Sequence, residues 1–594
     1  MNRISKRTLL ACYLLVVAIA FFYYPKWKQS GSEATISWDA SGYYMYLPAI
    51  FIYKDIKHCH FKDYVLDTYH PTPNFQLAYI YPPTGNYVMK YSSGQAILMS
   101  PFFFAAHAIA KFSHRYPADG FSYPYQIALG IGMLLYTFIG LWFLRKILLE
   151  YYADSTVAIS LIAIVCGSNY INYCAIDHML THNTLFTLYC LLIYCTIQFY
   201  KSPKSLWALL IGSLVGLCTL IRPTDIVSVI IPLLWGISDF KTLKERINFV
   251  LSRFKYFVIA AIAAACFISV QIMYWKWTSG KWLYYSYPDE GFSWLHPHIL
   301  SYPFSYRSGW LLYSPMLIFA FVGIYSLVKR KTNVVAVLSF MLIDIYIVSA
   351  WDPWWYGGRA MVQSYPILLF SIAALIDDVN RTKVLKWLFY TLFGLFTYLN
   401  IWWVHNSHRG HVQVYDITKA YYWAVVGRWN INDNITKLLD QPDYCRGTHE
   451  HCQTIYTNDF ESDSSENTII EGITGKSIFL DKDHQSTKTY FLTTSNLTHK
   501  WVSASADFRI SQKEYETKRM TQFLVKFYNH DEVVKEGCLR VYRLLTDGET
   551  KNISIDMKVP DLPFQKIGVT FINAEGDKRI LIDNLKIISF DEGK

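Results

Sequence analysis

One aspartate and three arginines are the residues of this sequence best suited to proton transfer and phosphate chemistry. Asp39 lies in the stretch WDASGYYMYLPAIF, directly after the first apolar run. A carboxylate within hydrogen-bond reach of a hydroxyl can take its proton. Arg222, Arg307 and Arg359 lie at the ends of later apolar runs, and guanidinium groups meet phosphate oxygens in a bidentate fork. These residue types predict a site where a hydroxyl is activated and a phosphate is bound.

Other polar and aromatic residues stand at the margins of apolar runs. The stretch AIDHMLTHN carries Asp177 and His178 at a turn between two runs, and WDPWWYGGRAM carries Asp352 ahead of Arg359. Charges at a bilayer margin lose part of their hydration, so they pair with one another or with a ligand. The aromatic candidates beside them are Tyr43, Tyr44, Trp354, Trp355 and Tyr356.

Several of these candidates also have a structural explanation. Asp39 can cap a helix, because the following residues offer free amides. Arg222 can reach the membrane interface or pair with Asp225. His178 and His182 have the spacing of metal ligands on one helical face, but without a third ligand a solvated helix end is favoured. The stretch WDPWWYGGRAM can be an interfacial aromatic belt. No metal ligands are assigned.

The chain that positions these residues is too apolar for an ordinary soluble protein, with 594 residues of which 53% are hydrophobic and 17% charged. A helix crosses the hydrocarbon with about 20 apolar residues. Eleven crossings are predicted, in the runs 8–24, 123–144, 156–174, 179–199, 205–221, 226–238, 256–275, 309–328, 333–350, 360–376 and 384–403. Asp344 lies inside the run 333–350 and is assigned no role.

Basic residues predict the orientation of these spans, since lysine and arginine stay on the cytoplasmic side. They gather before the first run and in alternate loops, so the N-terminus is expected to be cytoplasmic. The run 94–110 is interpreted as a helix on the outer surface, because counting it as a span would place Arg145 and Lys146 outside. The first run ends in FFYYP instead of a small-residue cleavage site, which favours a span over a signal peptide.

Two large outer segments follow from this topology, a first loop at 25–122 and the tail. The membrane domain is predicted over 1–405, a helical linker over 406–465 and an extracytoplasmic domain over 466–594. Period-two alternation with intervening turns predicts a β-sandwich of eight or nine strands in that last domain. Cys445 and Cys452 can form a disulfide in an oxidising compartment. The fold class is therefore an α-helical polytopic membrane protein with a C-terminal all-β sandwich.

Four stretches together resemble the GT-C superfamily of multispanning glycosyltransferases, which includes protein mannosyltransferases, aminoarabinose transferases and oligosaccharyltransferases. They are WDASGYYMYLP after the first span, TLIRPTD, RSGWLLYSPMLIFAFVGIYSL and WDPWWYGGRAMVQSYPILLF. The likeness covers about residues 1–405. It implies transfer of a sugar from a polyprenyl-phosphate or polyprenyl-diphosphate carrier on the outer face, usually with inversion.

The resemblance implies a role for Asp39, and the chemistry of such a transfer suggests roles for the other candidates. Asp39 matches the catalytic acid of the first outer loop and would be the general base. Arg222 and Arg359, with Arg307 and His178 behind them, would bind the donor phosphate. The family often has a second acid beside the first, but the neighbours here are Trp38 and Ala40. Assistance by a divalent metal ion therefore stays open. The residues expected to bind sugar or acceptor are Tyr43, Tyr44, Asp177, Asp352, Trp354, Trp355 and Tyr356.

The expected partners are a polyprenyl-phosphate-linked sugar donor, a glycan, lipid or protein acceptor, and the bilayer. The net charge of +10 does not indicate nucleic acid, because the basic residues lie between apolar runs. A bacterial inner membrane is the expected location, with the C-terminal domain periplasmic. A transporter or lipid flippase would also have many spans, but such proteins place their site near the midplane, between repeated halves. A noncatalytic polysaccharide-assembly protein is the third alternative.

Overall fold

The computed structural model describes residues 3–288, 290–352, 356–412, 416–441, 443, 445, 447–462, 468–469, 471–493, 497, 499–573 and 575–593. The chain divides into two units, Met1–Val414 and Tyr415–Lys594. The first unit is mostly helical. Its α-helices are Arg3–Ala18, Trp38–Tyr44, Tyr46–Phe51, Lys62–Tyr69, Gly94–Ser113, Tyr123–Leu148, Asp154–Val165, Thr181–Lys201, Ser205–Ile221, Ile230–Leu234, Phe240–Ser252, Phe254–Ser279, Ser301–Phe304, Trp310–Tyr313, Ile318–Arg330, Val334–Ala350, Tyr365–Val379 and Lys383–Ser407.

Among the described residues, seven helical segments are long and apolar enough to cross a membrane, which indicates a multi-pass membrane protein. They are Arg3–Lys28, Gly94–Ser113, Tyr123–Leu148, Thr181–Lys201, Phe254–Ser279, Arg359–Val379 and Lys383–Ser407. Six of them coincide with predicted spans. Gly94–Ser113 is the run assigned to the outer surface, and by length alone it could also cross. The number of crossings stays a prediction.

The other five predicted spans contain shorter or interrupted helices. The run 156–174 has an α-helix only over Asp154–Val165, followed by a π-helical turn at Asn172–Ile176. The run 309–328 is broken into Trp310–Tyr313 and Ile318–Arg330. The break falls at Ser314, because the residue before a proline is pushed out of the helical conformation and Pro315 follows.

A close helix pair positions Arg222. A Cβ atom on Gly212 would lie 2.0 Å from the carbonyl oxygen of Ala260, and one on Gly216 would lie 2.7 Å from the Cα atom of Ala264. The helix Ser205–Ile221 thus packs backbone to backbone against Phe254–Ser279 through a G-x-x-x-G spacing. Its C-terminal neighbour, Arg222, is extended (φ −141°, ψ 118°) ahead of a proline.

The first unit also contains two small two-stranded antiparallel sheets. One pairs β1 (Ala78–Tyr81) with β2 (Asn86–Met89), and the other pairs β3 (Gly291–Phe292) with β4 (Trp351–Asp352). The second unit begins with two short helices, Lys419–Val425 and Asp433–Lys437. Its ten strands are β5 (His449–Asn458), β6 (Thr468–Ile469), β7 (Ser477–Leu480), β8 (Tyr490–Thr493), β9 (Trp501–Ile510), β10 (Gln522–Asn529), β11 (Glu532–Arg540), β12 (Thr550–Lys558), β13 (Lys566–Ile572) and β14 (Ile580–Glu592).

These strands form two antiparallel sheets with a shared core. One sheet has the order β11-β10-β13-β8, and the other has the order β12-β9-β14-β7-β6 with β5 paired to β14. Phe508 from one sheet and Phe523 and Phe571 from the other are fully buried against each other. Nine described strands, β6 to β14, lie within 466–594, where eight or nine were predicted, and the tenth, β5, precedes that range. The helical linker predicted over 406–465 contains β5, whose mostly exposed side chains give no alternating pattern.

Cys445 and Cys452 are free thiols, so the disulfide that the sequence left open is not formed in the structure. Cys445 is buried against Trp501 and Phe590. Cys452 lies on β5 and is exposed. The two cysteines therefore occupy different environments, one in a small core and the other on the surface of the sheet.

A buried ion pair in the second unit predicts a large effect on stability. The Arg543 side chain is fully buried, and its Nε lies 2.9 Å from Asp440 Oδ2 and its Nη2 3.0 Å from Asp416 Oδ2. Removing one partner of a buried pair costs about 3–5 kcal/mol. We expect Arg543→Met to raise the hydrogen-exchange rate of the sandwich strands in the full-length protein. The matched change Arg579→Met, at a half-exposed pair with Asp481, should cost under about 1 kcal/mol; equal effects would contradict the prediction.

Candidate functional site

Asp39 is placed by the start of the helix Trp38–Tyr44. Trp38 adopts the left-handed conformation (φ 46°), and its amide donates to the carbonyl of Pro71 over 3.0 Å. On the same helix, a Cβ atom at Gly42 would lie 2.3 Å from the ring of Tyr91. Because glycine leaves this space open, the Tyr91 ring lies across the helix, and its hydroxyl donates to Asp39 Oδ1 over 2.7 Å.

Asp39 also forms an ion pair with an arginine 320 residues away. Arg359 Nη2 lies 2.6 Å from Asp39 Oδ2, with about a fifth to a quarter of each side chain exposed. Burial alone would raise the pKa of Asp39, but the charge of Arg359, the hydrogen bonds from Tyr91 and Arg359 and the charge of Lys90 lower it below its ordinary value. Asp39 is therefore a carboxylate at neutral pH.

A rigid glycine turn places Arg359. Gly357 and Gly358 both have positive φ (60° and 61°), which costs a side-chain-bearing residue stability. Asn169 donates to the carbonyl of Gly357 over 2.7 Å, and Tyr302 donates to that of Gly358 over 2.9 Å. These bonds fix both sides of the turn, so Arg359 starts its 3₁₀ turn in one orientation.

A cavity of about 260 Å³ lies beside this ion pair. Arg222 and Arg359 both line it, although they follow different helices. Two carboxyl groups, Asp225 and Asp344, line it as well, and so do aromatic rings from several loops. The aromatic lining residues are Tyr43, Trp275, Tyr284, Tyr285, Tyr287, Phe292, Tyr302 and Trp351.

The two carboxyl groups of the cavity are buried and held by hydroxyls. Tyr189 donates to Asp225 Oδ1 over 2.8 Å, and Ser364 donates to Asp344. The other oxygen of Asp225 is buried without a hydrogen-bond partner among the described residues. A buried acceptor without a donor costs free energy. A ligand hydroxyl or ammonium in the cavity could supply that donor.

A histidine that the sequence did not single out as a site residue lies behind Arg222. His182 Nδ1 is 3.4 Å from Arg222 Nη1 and 3.1 Å from Gln363 Oε1. Its spacing from His178 was the one signal in the sequence, and a solvated helix end was favoured there over a metal pair. That expectation is wrong, because both histidines are buried. Tyr91 and Gln363 had no sequence signal for the site, whereas Asp344 stood out as an acid inside an apolar run but received no role.

The structure does not bring all predicted phosphate-binding residues to the cavity. His178 is buried, with Nδ1 3.0 Å from the carbonyl of Ala175, and burial lowers its pKa to about 4. Its role stays a prediction that the geometry does not support, because a neutral, enclosed imidazole offers a phosphate no positive charge. Arg307 follows the helix Ser301–Phe304 and is not among the residues lining the cavity.

Two of the predicted sugar-binding residues likewise lie away from the cavity lining. Asp177 pairs with Lys26 over 2.6 Å; burial opposes ionisation, but the Lys26 charge holds its pKa well below the ordinary value. The Tyr44 ring is fully buried and its hydroxyl donates to the carbonyl of Gly120 over 2.5 Å. Tyr43, by contrast, lines the cavity, with its ring centroid 4.4 Å from that of Tyr91.

The motif WDPWWYGGRAM is described in part. Asp352 pairs through its backbone with Gly291 in the small sheet of β3 and β4. Trp354 and Trp355 lie outside the described residues. Tyr356 is buried, its carbonyl accepts from the Tyr173 hydroxyl over 2.8 Å, and its ring packs on Tyr313. Tyr356 therefore supports the glycine turn ahead of Arg359.

Comparisons with known proteins give weak likenesses. No protein-family model matches the chain, and no curated protein matches it. Among solved structures, arabinosyltransferase EmbB from Mycobacterium smegmatis aligns with 83% of this chain at 11% identity and TM-score 0.33, and the alignment spans 60% of that protein. A family 16 carbohydrate-binding module aligns with 20% of this chain and 82% of its own length at 13% identity and TM-score 0.16.

The glycosylation-associated Gap123 complex from Streptococcus agalactiae aligns with 23% of this chain and 44% of that chain, at 20% identity and TM-score 0.16. At these identities and TM-scores, the similarity carries no information about chemistry. The chemistry of the site is therefore inferred from its own residues. A carboxylate is paired with an arginine, and the cavity beside them is lined by a second arginine and two buried carboxyl groups.

Proposed function

We propose that this protein is an integral-membrane glycosyltransferase that moves a sugar from a polyprenyl-phosphate carrier to an acceptor hydroxyl on the outer face of the membrane. The observation that carries the proposal is the contact between Asp39 and Arg359 at a cavity also lined by Arg222. Both guanidinium groups line the cavity, and Asp39 adjoins it through its contact with Arg359, so a substrate that binds both arginines would come close to the proposed base.

The reaction would proceed by inverting displacement. Asp39 takes the proton of the acceptor hydroxyl as its oxygen forms a bond to the anomeric carbon. The bond from that carbon to the phosphate oxygen breaks, and the electron pair leaves with the lipid phosphate. Arg222 and Arg359 stabilise the charge that develops on it. The acceptor is a glycan, lipid or protein hydroxyl.

The ion pair between Asp39 and Arg359 would make the pKa of Asp39 depend on whether the donor is bound. A carboxylate whose pKa is lowered by an arginine is a weak base. A donor phosphate competes for the same guanidinium group, because Arg359 also lines the cavity. When the phosphate draws Arg359 away, the pKa of Asp39 rises toward its ordinary value. Asp39 would therefore become a better base only when the donor is present.

The remainder of the cavity suits a hydroxylated ring. Asp225 and Asp344 would accept hydrogen bonds from sugar hydroxyls, and the partnerless oxygen of Asp225 is the first acceptor available. Tyr43, Tyr287 and Trp351 present aromatic surface on which the apolar face of a sugar can pack. The prenyl chain would stay in the bilayer.

Transfer in purified membranes tests the proposal. Membranes that contain the protein are incubated with a panel of synthetic polyprenyl-phosphate-linked hexoses and pentoses, and acceptor glycans are followed by mass spectrometry. We expect consumption of at least one donor and a new glycan that is missing from membranes without the gene. If every donor is left intact and envelope glycans are the same with and without the gene, the protein is no such transferase.

Two predicted arginines provide a matched pair for the donor site. Arg222 lines the cavity and Arg307 does not. We expect Arg222→Gln to lower kcat/KM for the lipid-linked donor by about 10²- to 10³-fold, the cost of removing one stabilising donor from a developing oxyanion. Arg307→Gln should lower it far less. Equal losses in the two variants, measured at equal protein levels, would remove Arg222 from its proposed role.

A further inference from the structure

A cluster of two histidines and one aspartate lies outside the cavity, in the turn between the helices Tyr46–Phe51 and Lys62–Tyr69. The Nδ1 atom of His58 lies 3.3 Å from Asp55 Oδ1, and that of His60 lies 2.8 Å from Asp55 Oδ2. One ligand atom from each residue falls within 4.8 Å of the other two. Among the described residues, this is the group of three histidine, cysteine, aspartate or glutamate side chains whose ligand atoms lie close enough to share one metal ion.

The backbone of the turn aims both rings at the same carboxylate. Cys59, between the histidines, has a positive φ of 50°, and its side chain is fully buried with Sγ 3.8 Å from the carbonyl of Ile56. The chain thus turns the cysteine inward and both histidines outward. The Asp55 carboxylate also accepts the amides of His58 and His60 over 3.0 and 2.9 Å. Such bonds orient ligating carboxylates in metal sites.

We propose that Asp55, His58 and His60 bind one divalent transition-metal ion, with Zn²⁺ as the preferred occupant. Zinc bonds to histidine nitrogen and carboxylate oxygen are about 2.0–2.2 Å long, so tetrahedral ligand atoms stand about 3.3–3.5 Å apart. The His58 distance of 3.3 Å matches that separation, whereas the His60 nitrogen lies 2.8 Å from the carboxylate in a direct hydrogen bond and would move outward by about 0.5 Å to share the ion. Two imidazoles select zinc, nickel or copper over magnesium and calcium, which prefer oxygen ligands.

The ion would leave positions open and would stabilise the turn. The side chains of His58 and His60 are 58% and 82% exposed, so water completes the coordination. Lys57, directly before His58, contacts the neighbouring elements: its carbonyl accepts from the Tyr87 amide over 2.6 Å, and its ammonium lies 4.3 Å from the Trp277 ring. A metal that ties Asp55 to both histidines would therefore hold the first loop against the helix that carries Trp277. The site does not depend on the proposed transferase activity.

Zinc binding by the purified full-length protein tests the site. After chelator treatment and dialysis, ZnCl₂ is titrated by calorimetry, and MgCl₂ serves as the oxygen-preferring comparison. We expect one Zn²⁺ per chain and no heat from Mg²⁺. His58→Ala/His60→Ala should lose this binding, and zinc should raise the melting temperature of the native protein but not of this variant.

The control removes two exposed histidines elsewhere. His296→Ala/His530→Asn has the same change in histidine number, and asparagine suits the positive φ of residue 530. This control should bind zinc as the native protein does. The proposal is overturned if the native protein takes up no zinc, or if the His58→Ala/His60→Ala variant binds it equally well; in either case the cluster is a hydrogen-bonded turn. Asp55→Asn, which keeps an acceptor for one of the two turn amides, guards against loss of folding and should weaken binding.

Discussion

Replacing Asp39 by asparagine is expected to reduce sugar transfer by about 10²- to 10⁴-fold, the contribution of a positioned general base. Asparagine keeps the shape of the side chain and can still accept the hydrogen bond that Tyr91 donates over 2.7 Å. It cannot take a proton from the acceptor hydroxyl. The measurement is the initial rate of glycan transfer in membranes, normalised to the amount of protein in the membrane.

A matched substitution in the same loop separates catalysis from charge. Asp63 is exposed on the helix Lys62–Tyr69 and is not among the residues that line the cavity. Asp63→Asn should therefore transfer sugar at the native rate. Normal transfer by the Asp39→Asn variant, at normal protein level, would leave the proposed reaction without a base.

Replacing Arg359 by glutamine is expected to lower kcat/KM by about 10²- to 10³-fold and to move the acid limb of the pH profile upward. The charge of Arg359 lowers the pKa of Asp39, so the native carboxylate stays ionised below the ordinary pKa of an aspartate. Without that charge the pKa rises, and Asp39 is protonated at a higher pH. Activity should then be lost sooner as the pH falls.

The comparison variants are Arg359→Lys and Arg307→Gln. Lysine keeps the positive charge but loses the planar fork, so its acid limb should lie nearer the native one while donor use is still impaired. Arg307→Gln should leave the limb in place. In the Asp39→Asn/Arg359→Gln double variant the losses should be far from additive, because the two residues act as one unit. If the losses are additive and the acid limb does not move, Arg359 does not act on Asp39 in the reaction.

The sequence predicted the parts of the site that carry an unusual residue type at an apolar boundary. Asp39, Arg222 and Arg359 stand out in this way, and the structure brings the first and last into contact and the two arginines to one cavity. The roles given to them stay predictions. Charge at a membrane margin is a strong signal because it is costly there unless it is paired or used.

The rest of the site depends on tertiary contacts that no local pattern records. Tyr91 reaches Asp39 only because Gly42 leaves room for its ring. Asp344 received no role because a carboxyl inside an apolar run gives no hint of which cavity it faces. His178 looked like a cation and is an enclosed neutral imidazole with a low pKa. In the second unit, β5 was missed because its side chains are mostly exposed and do not alternate.

The 320 residues between Asp39 and Arg359 also affect when the site can assemble during synthesis. Ribosomes add about 5–20 residues per second, so on the order of 16–64 s separate the emergence of the two partners. Throughout that interval the nascent chain carries the acid without its counter-ion. A chain released before the glycine turn at Gly357 and Gly358 would hold most of the helices and no assembled centre, so unfinished copies in the membrane would be inert.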